Sequence, residues 1–250
     1  MPVFHHGPVE LATLDEGQGE PIVLVHGFAS AKEVNWVQPG WVATLKGAGR
    51  RVIALDNRGH GQSSKLYDPA DYHTAKMADD VRELLDQLGL PRADVMGYSM
   101  GARIAAFLAL EQPDRVRSVV LGGLGMHLVD GVGLPESIAE ALEAPSLGDV
   151  KDPMGRTFRA FADQTHSDRR ALAACIRGSR QTLTREQAAS IQTPTLIGIG
   201  TKDPIAGSAE ELAAIMPHAK ALPIPNRDHM LAVGDKVFKA GVLEFLKEHG

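Results

Sequence analysis

The segment Gly97-Tyr98-Ser99-Met100-Gly101 sets a serine midway between two glycines. That spacing suits a nucleophile on a sharp strand-to-helix turn. The glycines remove side chains that would clash there, and the serine Oγ is left standing above the sheet. The pattern is short, so its setting decides. It follows the apolar run Asp94-Val95-Met96 and precedes a helical pattern that begins near Ala102. A helix starting just after Ser99 directs backbone N–H groups at developing negative charge. The chemistry indicated is attack by Ser99 on a carbonyl carbon.

A serine nucleophile needs a base, and the base needs a carboxylate to fix its tautomer. His229, in Asn226-Arg227-Asp228-His229-Met230, occupies a polar turn between a weak strand pattern and the last helical one. It therefore sits at a strand's C-terminal end, where parallel sheets meet ligands. His26 and His60, both in glycine-rich turns, are rivals. Asp203, in Gly200-Thr201-Lys202-Asp203-Pro204, directly follows an apolar run and is the candidate acid. Asp130 is a rival, whereas Asp228 adjoins His229 and neighbouring side chains diverge. In Leu24-Val25-His26-Gly27-Phe28 a strand end enters a glycine turn. The backbone N–H groups of Phe28 and Met100 would then form an oxyanion hole, each donor worth ~3 kcal/mol in the transition state.

The elements that must position these groups alternate. Apolar runs at Ile22–Val25, Val52–Leu55, Asp94–Met96, Val116–Leu121, Thr195–Ile199 and, more weakly, Ala219–Ile224 read as strands covered on both faces. Met77, Val81, Leu84, Leu85 and Leu88 form a helical stripe closed by Gly89 and Pro91. Further helices are predicted around Ile104–Leu110 and Val237–Leu246. Val9–Thr13 alternates and is expected to start an antiparallel edge hairpin. The fold class is α/β, a mainly parallel central sheet flanked by helices. Between about Leu124 and Ile191 the rhythm breaks into short helical patterns, such as Ser137–Glu143 and Arg169–Ile176, with no strong strand. The expected organisation is a core over 1–123, a helical cap over 124–191 inserted after the strand ending near Leu121, and the rest of the core over 192–250.

Composition narrows the function classes. In 250 residues, 44% are apolar and the formal net charge is −5. This is an ordinary globular balance, not that of a disordered chain. Cys175 is the sole cysteine, which excludes intrachain disulfides and cysteine-rich zinc or redox motifs. Its apolar neighbours predict a buried, inert thiol. A mildly acidic chain offers no field for gripping phosphate backbones, so no nucleic-acid partner is expected. No segment resembles a secretory signal or a membrane span. The expectation is a cytoplasmic protein acting on a small molecule, as monomer or homodimer.

Together, Val25-His26-Gly27-Phe28, the run Leu55 to Ser63, Gly97-Tyr98-Ser99-Met100-Gly101, Gly200-Thr201-Lys202-Asp203 and Asp228-His229 resemble the α/β-hydrolase superfamily. Carboxylesterase-like serine members with a small helical cap fit best. The order Ser99, Asp203, His229 is the order of that fold. The resemblance implies that Ser99 attacks, His229 shuttles the proton, Asp203 orients His229, and no metal or organic cofactor is needed. It also implies that the Asp56–Ser63 turn is structural. Serine at position 99 sets the chain apart from the dehalogenases and epoxide hydrolases of this fold, which use aspartate. The first expectation is hydrolysis of carboxylic esters of small or medium acyl chain. The second is a C–C bond hydrolase or pyruvate-eliminating lyase with an acidic substrate. The third is a ligand sensor with little turnover. His26, Tyr98, Arg103, Met126 and His127 are candidate substrate contacts. Arg103, one helical turn from Ser99, could hold a substrate carboxylate, or pair with an acid on the helix surface. Arg156, Arg159, Arg169, Arg170, Arg177 and Arg180 of the cap read mostly as a solvated face. Phe158 and Phe161 are expected to pack the cap onto the core.

Overall fold

Six short apolar runs become the parallel strands of one sheet. A computed structural model describes residues 2–131 and 133–249. In chain order the strands are β1 (Val3–His6), β2 (Val9–Glu16), β3 (Pro21–Val25), β4 (Arg51–Leu55), β5 (Ala93–Tyr98), β6 (Val116–Gly122), β7 (Thr195–Gly200) and β8 (Ala219–Ile224). The helices are α1 (Trp41–Gly47), α2 (Thr74–Gln87), α3 (Met100–Glu111), α4 (Ser137–Glu143), α5 (Pro153–Gln164), α6 (Arg169–Gly178), α7 (Arg185–Ser190), α8 (Ala209–Ile215), α9 (His229–Ala232) and α10 (Lys236–His249). The sheet order is β1-β2-β4-β3-β5-β6-β7-β8, with β3 to β8 parallel. Among the described residues no helix is long and apolar enough to cross a membrane.

The edge hairpin differs from the expectation. Val9–Thr13 does not start it. Val3–His6 is its first strand, and β2 runs on to Glu16 to pair antiparallel with β4. The His-rich β1 carries too little apolar alternation to be read as a strand.

Side-chain alternation splits the core. Ile22, Leu24, Val52, Ala54 and Met96 face α1 and α10, whereas Val23, Val25, Ile53, Leu55 and Val95 face α2 and α3. Each fully buried Val, Leu or Ile contributes roughly 1.5–3 kcal/mol relative to exposure. This two-sided burial explains why these strands read as unbroken apolar runs. The helical insertion lies between β6 and β7 and comprises α4 to α7. Its buried Ile138, Leu142, Leu172 and Ile176 join the cluster formed with α2 and α3.

Two turns at the strands' C-terminal ends are tied together by Asp56. One carboxylate oxygen accepts from Lys32 N–H (2.8 Å), the other from Lys32 Nζ (2.8 Å) and Gln62 N–H (3.0 Å). Lys32 is 1% exposed and Asp56 is fully buried. His26 lies beside them. Its Nε2 accepts from Asn57 N–H, which leaves Nδ1 to donate to Gly27 O. His60 donates Nδ1–H to Arg58 O, while its Nε2 is buried without a partner among the described residues. Burial, with His26 nearby, pulls His60 down to about 3 from an ordinary 6.5. Burial also lowers His26, against the opposing pull of Asp56.

A histidine whose folded pKa is depressed binds its proton more readily unfolded. Stability from that group is therefore full above pH 6.5 and is lost as the pH falls toward 3. The loss assigned to His60 is about 2 kcal/mol between pH 6.5 and pH 5. Urea unfolding at the two pH values should show His60→Gln losing less stability than the wild type. Equal losses would mean that other groups govern the acid limb.

Candidate active site

Ser99 stands at φ 55°, ψ −113°, between the last residue of β5 and the first of α3. A side chain is strained at such a φ, typically by ~1–3 kcal/mol. The flanking glycines are required by contact. A Cβ on Gly97 would land on the Gly101 carbonyl, and one on Gly101 would land on the Val25 carbonyl. Ser99 N–H donates to Gly122 O (2.7 Å), anchoring the turn to β6.

β3 and β5 are neighbours, with Val25 opposite Gly97. The turn after β3 is thereby brought against the serine. A Cβ on Gly27 would come within 3.4 Å of Ser99 Cβ. Asn35 Oδ1 accepts from Gly27 N–H (2.8 Å) and fixes that turn. Phe28 N–H donates to no protein acceptor among the described residues. Met100 is the first residue of α3, where backbone N–H groups lack intrahelical partners.

β7 and β8 deliver the other two groups. His229 Nδ1 lies 2.7 Å from Asp203 Oδ2, and its Nε2 lies 3.0 Å from Ser99 Oγ. The carboxylate accepts only, so the imidazole proton sits on Nδ1 and Nε2 accepts from Ser99. The second Asp203 oxygen accepts from Ile205 N–H (2.8 Å) and Ala206 N–H (3.2 Å). The Asp203 side chain is fully buried and that of His229 is 7% exposed. Tyr98 Oη donates to the His229 carbonyl (2.6 Å), and Trp41 Nε1 donates to Val233 O (2.6 Å). Burial, then the charges of Asp203 and Asp228, raises the Tyr98 phenol, which keeps it a donor. Asp228 caps α9 instead of meeting His229, and Asp130 is exposed.

A cavity of about 590 Å³ opens in front of Ser99 and His229. Phe28, Val34, Tyr98 and Val233 line it from the core. Pro153, Met154, Thr157, Phe158 and Phe161, one face of α5, line it from the cap. The Phe28 and Phe158 ring centroids are 5.6 Å apart. The two cap phenylalanines thus do more than pack. They wall the cavity, a role that their three-residue spacing alone does not distinguish. Ser30 and Asn35, not singled out from the sequence, also line it, and Ser30 Oγ is buried with no partner among the described residues. No Lys, Arg, Asp or Glu lines the cavity among the described residues.

Of the candidate substrate contacts, only Tyr98 lines this cavity. His26 is fully buried and held by Gly27 and Asn57. His127 Nδ1 is bonded to Ile205 O (2.6 Å), and Met126 is buried in the core. Arg103 pairs with no acid among the described residues. It borders a small recess beside Ser99, and its guanidinium donates to the carbonyls of His127 (2.6 Å), Gln181 (2.8 Å), Gly131 (3.2 Å) and Leu128 (3.5 Å). Burial, then Arg180, lowers it to about 10. Its hydrogen bonds tie α3 to the start of the inserted segment and to the stretch between α6 and α7. Arg159 is also buried, bonded to Asp163 and to the carbonyls of Ala141 and Ala144, not on a solvated face. Cys175 is buried 3.6 Å from the Met100 sulfur, and burial pushes its thiol up to about 12.

Residues 20–130 match the family model described as alpha/beta hydrolase fold. A hydrolase from Pseudomonas aeruginosa has a solved structure that superposes with a TM-score of 0.81. It is 28% identical, and the match covers 98% of this chain and 97% of that one. The chain belongs to the α/β-hydrolase superfamily. A dihydrolipoyllysine-residue acetyltransferase component of an acetoin cleaving system from Pseudomonas putida is 32% identical over 92% of this α/β-hydrolase, which spans only 64% of that relative's length. A non-heme chloroperoxidase of Kitasatospora aureofaciens is 28% identical, with 96% of this chain and 97% of that one covered. The names of these two relatives describe different chemistry.

Replacing Arg103 by Met should cost about 3 kcal/mol in urea unfolding, because buried carbonyls lose a charged donor. Among folded molecules, acidic and neutral substrates should be affected alike. A selective loss of acidic substrates would instead make Arg103 a substrate ligand.

Proposed function

We propose that this chain is a serine hydrolase of uncharged carboxylic esters, working through an acyl-enzyme on Ser99. The observation that carries the reading is the relay Asp203–His229–Ser99, with contacts of 2.7 and 3.0 Å, facing a cavity that no Lys, Arg, Asp or Glu lines among the described residues. In this reading Ser99 Oγ bonds to the ester carbonyl carbon as its proton passes to His229 Nε2. Asp203 stabilises the imidazolium so formed. The carbonyl oxygen, now negative, is received by the N–H groups of Phe28 and Met100. The bond from carbon to the alcohol oxygen then breaks, and that oxygen takes the proton from His229. Water attacks the acyl-enzyme with His229 again as base, releasing the carboxylic acid and restoring Ser99.

The character of the cavity favours this reading over the two that need acidic substrates. A buried carboxylate without a cationic partner is costly, and the buried Arg103 and Arg159 are both engaged within the protein, Arg103 by backbone carbonyls and Arg159 by Asp163 and the carbonyls of Ala141 and Ala144. The apolar walls also lower the polarity beside the relay, which strengthens the electrostatic interactions there.

Steady-state hydrolysis of p-nitrophenyl acetate tests the reading and its acid. Ser99→Ala should fold normally and lower kcat by roughly 10⁴–10⁶-fold. Asp203→Asn should lower it by ~10⁴ by favouring the wrong tautomer. Near-wild-type turnover by a folded Ser99→Ala protein would refute the serine mechanism, and a single burst without turnover would favour the sensor.

A further inference from the structure

Two hollows meet at Ser99, and they differ greatly in size. Beside the cavity of about 590 Å³ lies a recess of about 40 Å³. Phe28, Ser99, Leu134 and Ile205 border both. His229 borders only the large cavity, and Met100 only the recess. From this asymmetry we infer that the site takes esters of a very short acyl group, about acetyl in size, with a bulky, uncharged, apolar alcohol. The inference rests on the serine-hydrolase reading and adds to it which side of the ester goes where.

The direction follows from proton transfer. When the tetrahedral intermediate collapses, the carbon–oxygen bond to the alcohol breaks, and the leaving oxygen must take its proton from His229 Nε2. The alcohol therefore lies on the His229 side, in the large cavity. The carbonyl oxygen is directed to the N–H groups of Phe28 and Met100. The remaining substituent on the carbonyl carbon is the acyl chain, and it points into the recess.

The recess is less than a tenth of the size of the cavity beside it, which favours the smallest acyl groups, and its walls are set against widening. Leu124 and Ile176 are buried, at 5% and 3% exposure. Arg103 is held by its carbonyl acceptors, and Ser179 Oγ donates to Cys175 O (2.7 Å). Gly133 already packs against Ile205, where a Cβ would meet the Ile205 carbonyl. With these polar groups engaged, the recess offers an apolar end group nothing to displace. The large cavity, walled by Phe28, Phe158 and Phe161, suits an aromatic or branched alcohol.

The test keeps the alcohol constant and varies the acyl chain. For p-nitrophenyl acetate, butyrate and octanoate, kcat/KM should fall at least about tenfold at the first step and about a hundredfold overall, as chains that overfill the recess are rejected. Enlarging the recess by Ile176→Ala or Leu124→Ala should raise the butyrate-to-acetate ratio about tenfold. That ratio is taken on one sample, so partial unfolding of a variant cancels. With acetyl held constant, 2-phenylethyl acetate should exceed ethyl acetate at least about tenfold in kcat/KM. Ser99-dependent hydrolysis of octanoate as fast as acetate would overturn the assignment while leaving the serine mechanism intact, as would a ratio unmoved in both variants. Turnover that survives Ser99→Ala, or no Ser99-dependent turnover on any ester, would overturn both readings.

Discussion

The site depends on one strained residue. Ser99 stands at φ 55°, where its side chain points away from both the strand that enters the turn and the helix that leaves it. The strain, of order 1–3 kcal/mol, persists only because the surroundings over-determine it. They do so through burial. Val95, Met96, Ala102 and Ile104, on either side of the turn, are all at 0% exposure. Hydrogen bonds from Ser99 N–H to Gly122 O and from Arg103 N–H to Ser99 O close the turn from both directions. The same constraint excludes side chains at positions 97 and 101 and forces α3 close to the end of β3. The turn carrying Phe28 therefore has to lie beside the nucleophile.

The cap is joined to this turn by polar and apolar means together. Arg103, in the first turns of α3, reaches carbonyls before α4 and between α6 and α7. Cys175 of α6 touches Met100, and Phe158 of α5 touches Phe28. Both residues proposed as oxyanion donors thus have side chains packed against the cap. A displacement of the cap would be felt where the negative charge develops, not only at the cavity mouth. A charged side chain without a carboxylate partner is an unusual fastener, because its desolvation must be offset by neutral carbonyls. Its planar fork suits the task, since it reaches several acceptors at once, which a lysine ammonium on a flexible stem does less well.

Much of this was legible in the residues. Five of the six parallel strands, β3 to β7, stand out because burial on both faces makes them apolar without alternation, and Ser99 and Asp203 each follow such a run; β8, before His229, is only partly buried and reads more weakly. The turn around Asp56 was also legible as structure. The contacts that cross the chain were not. The short helices α1 and α8 hold too few turns for periodicity to register, and β1 is half histidine. Arg103 could be matched from sequence only with acids, because backbone carbonyls carry no sequence signal. His26 and His127 look like site residues by position, yet each is held by backbone atoms that the fold brings to it. The cavity face of α5 combines Met154, Thr157, Phe158 and Phe161, and the same spacing would serve a helix packed on the core.

The relatives give the reason why the relay alone does not select a reaction. Relatives of this chain bear names as different as a chloroperoxidase and an acetyltransferase component, so selection has to lie in what surrounds the serine. In this chain two features of the surroundings bear on that selection. The larger cavity has no formal charge on its walls among the described residues, and the space divides unequally at Ser99. The first property acts on polarity, because an ionised substrate would lose its hydration without gaining a partner. The second acts on orientation, because the space on the two sides of Ser99 differs more than tenfold. Polarity and orientation enter the transition state separately. A substrate that satisfies one and violates the other would bind near Ser99 without placing its leaving oxygen at His229.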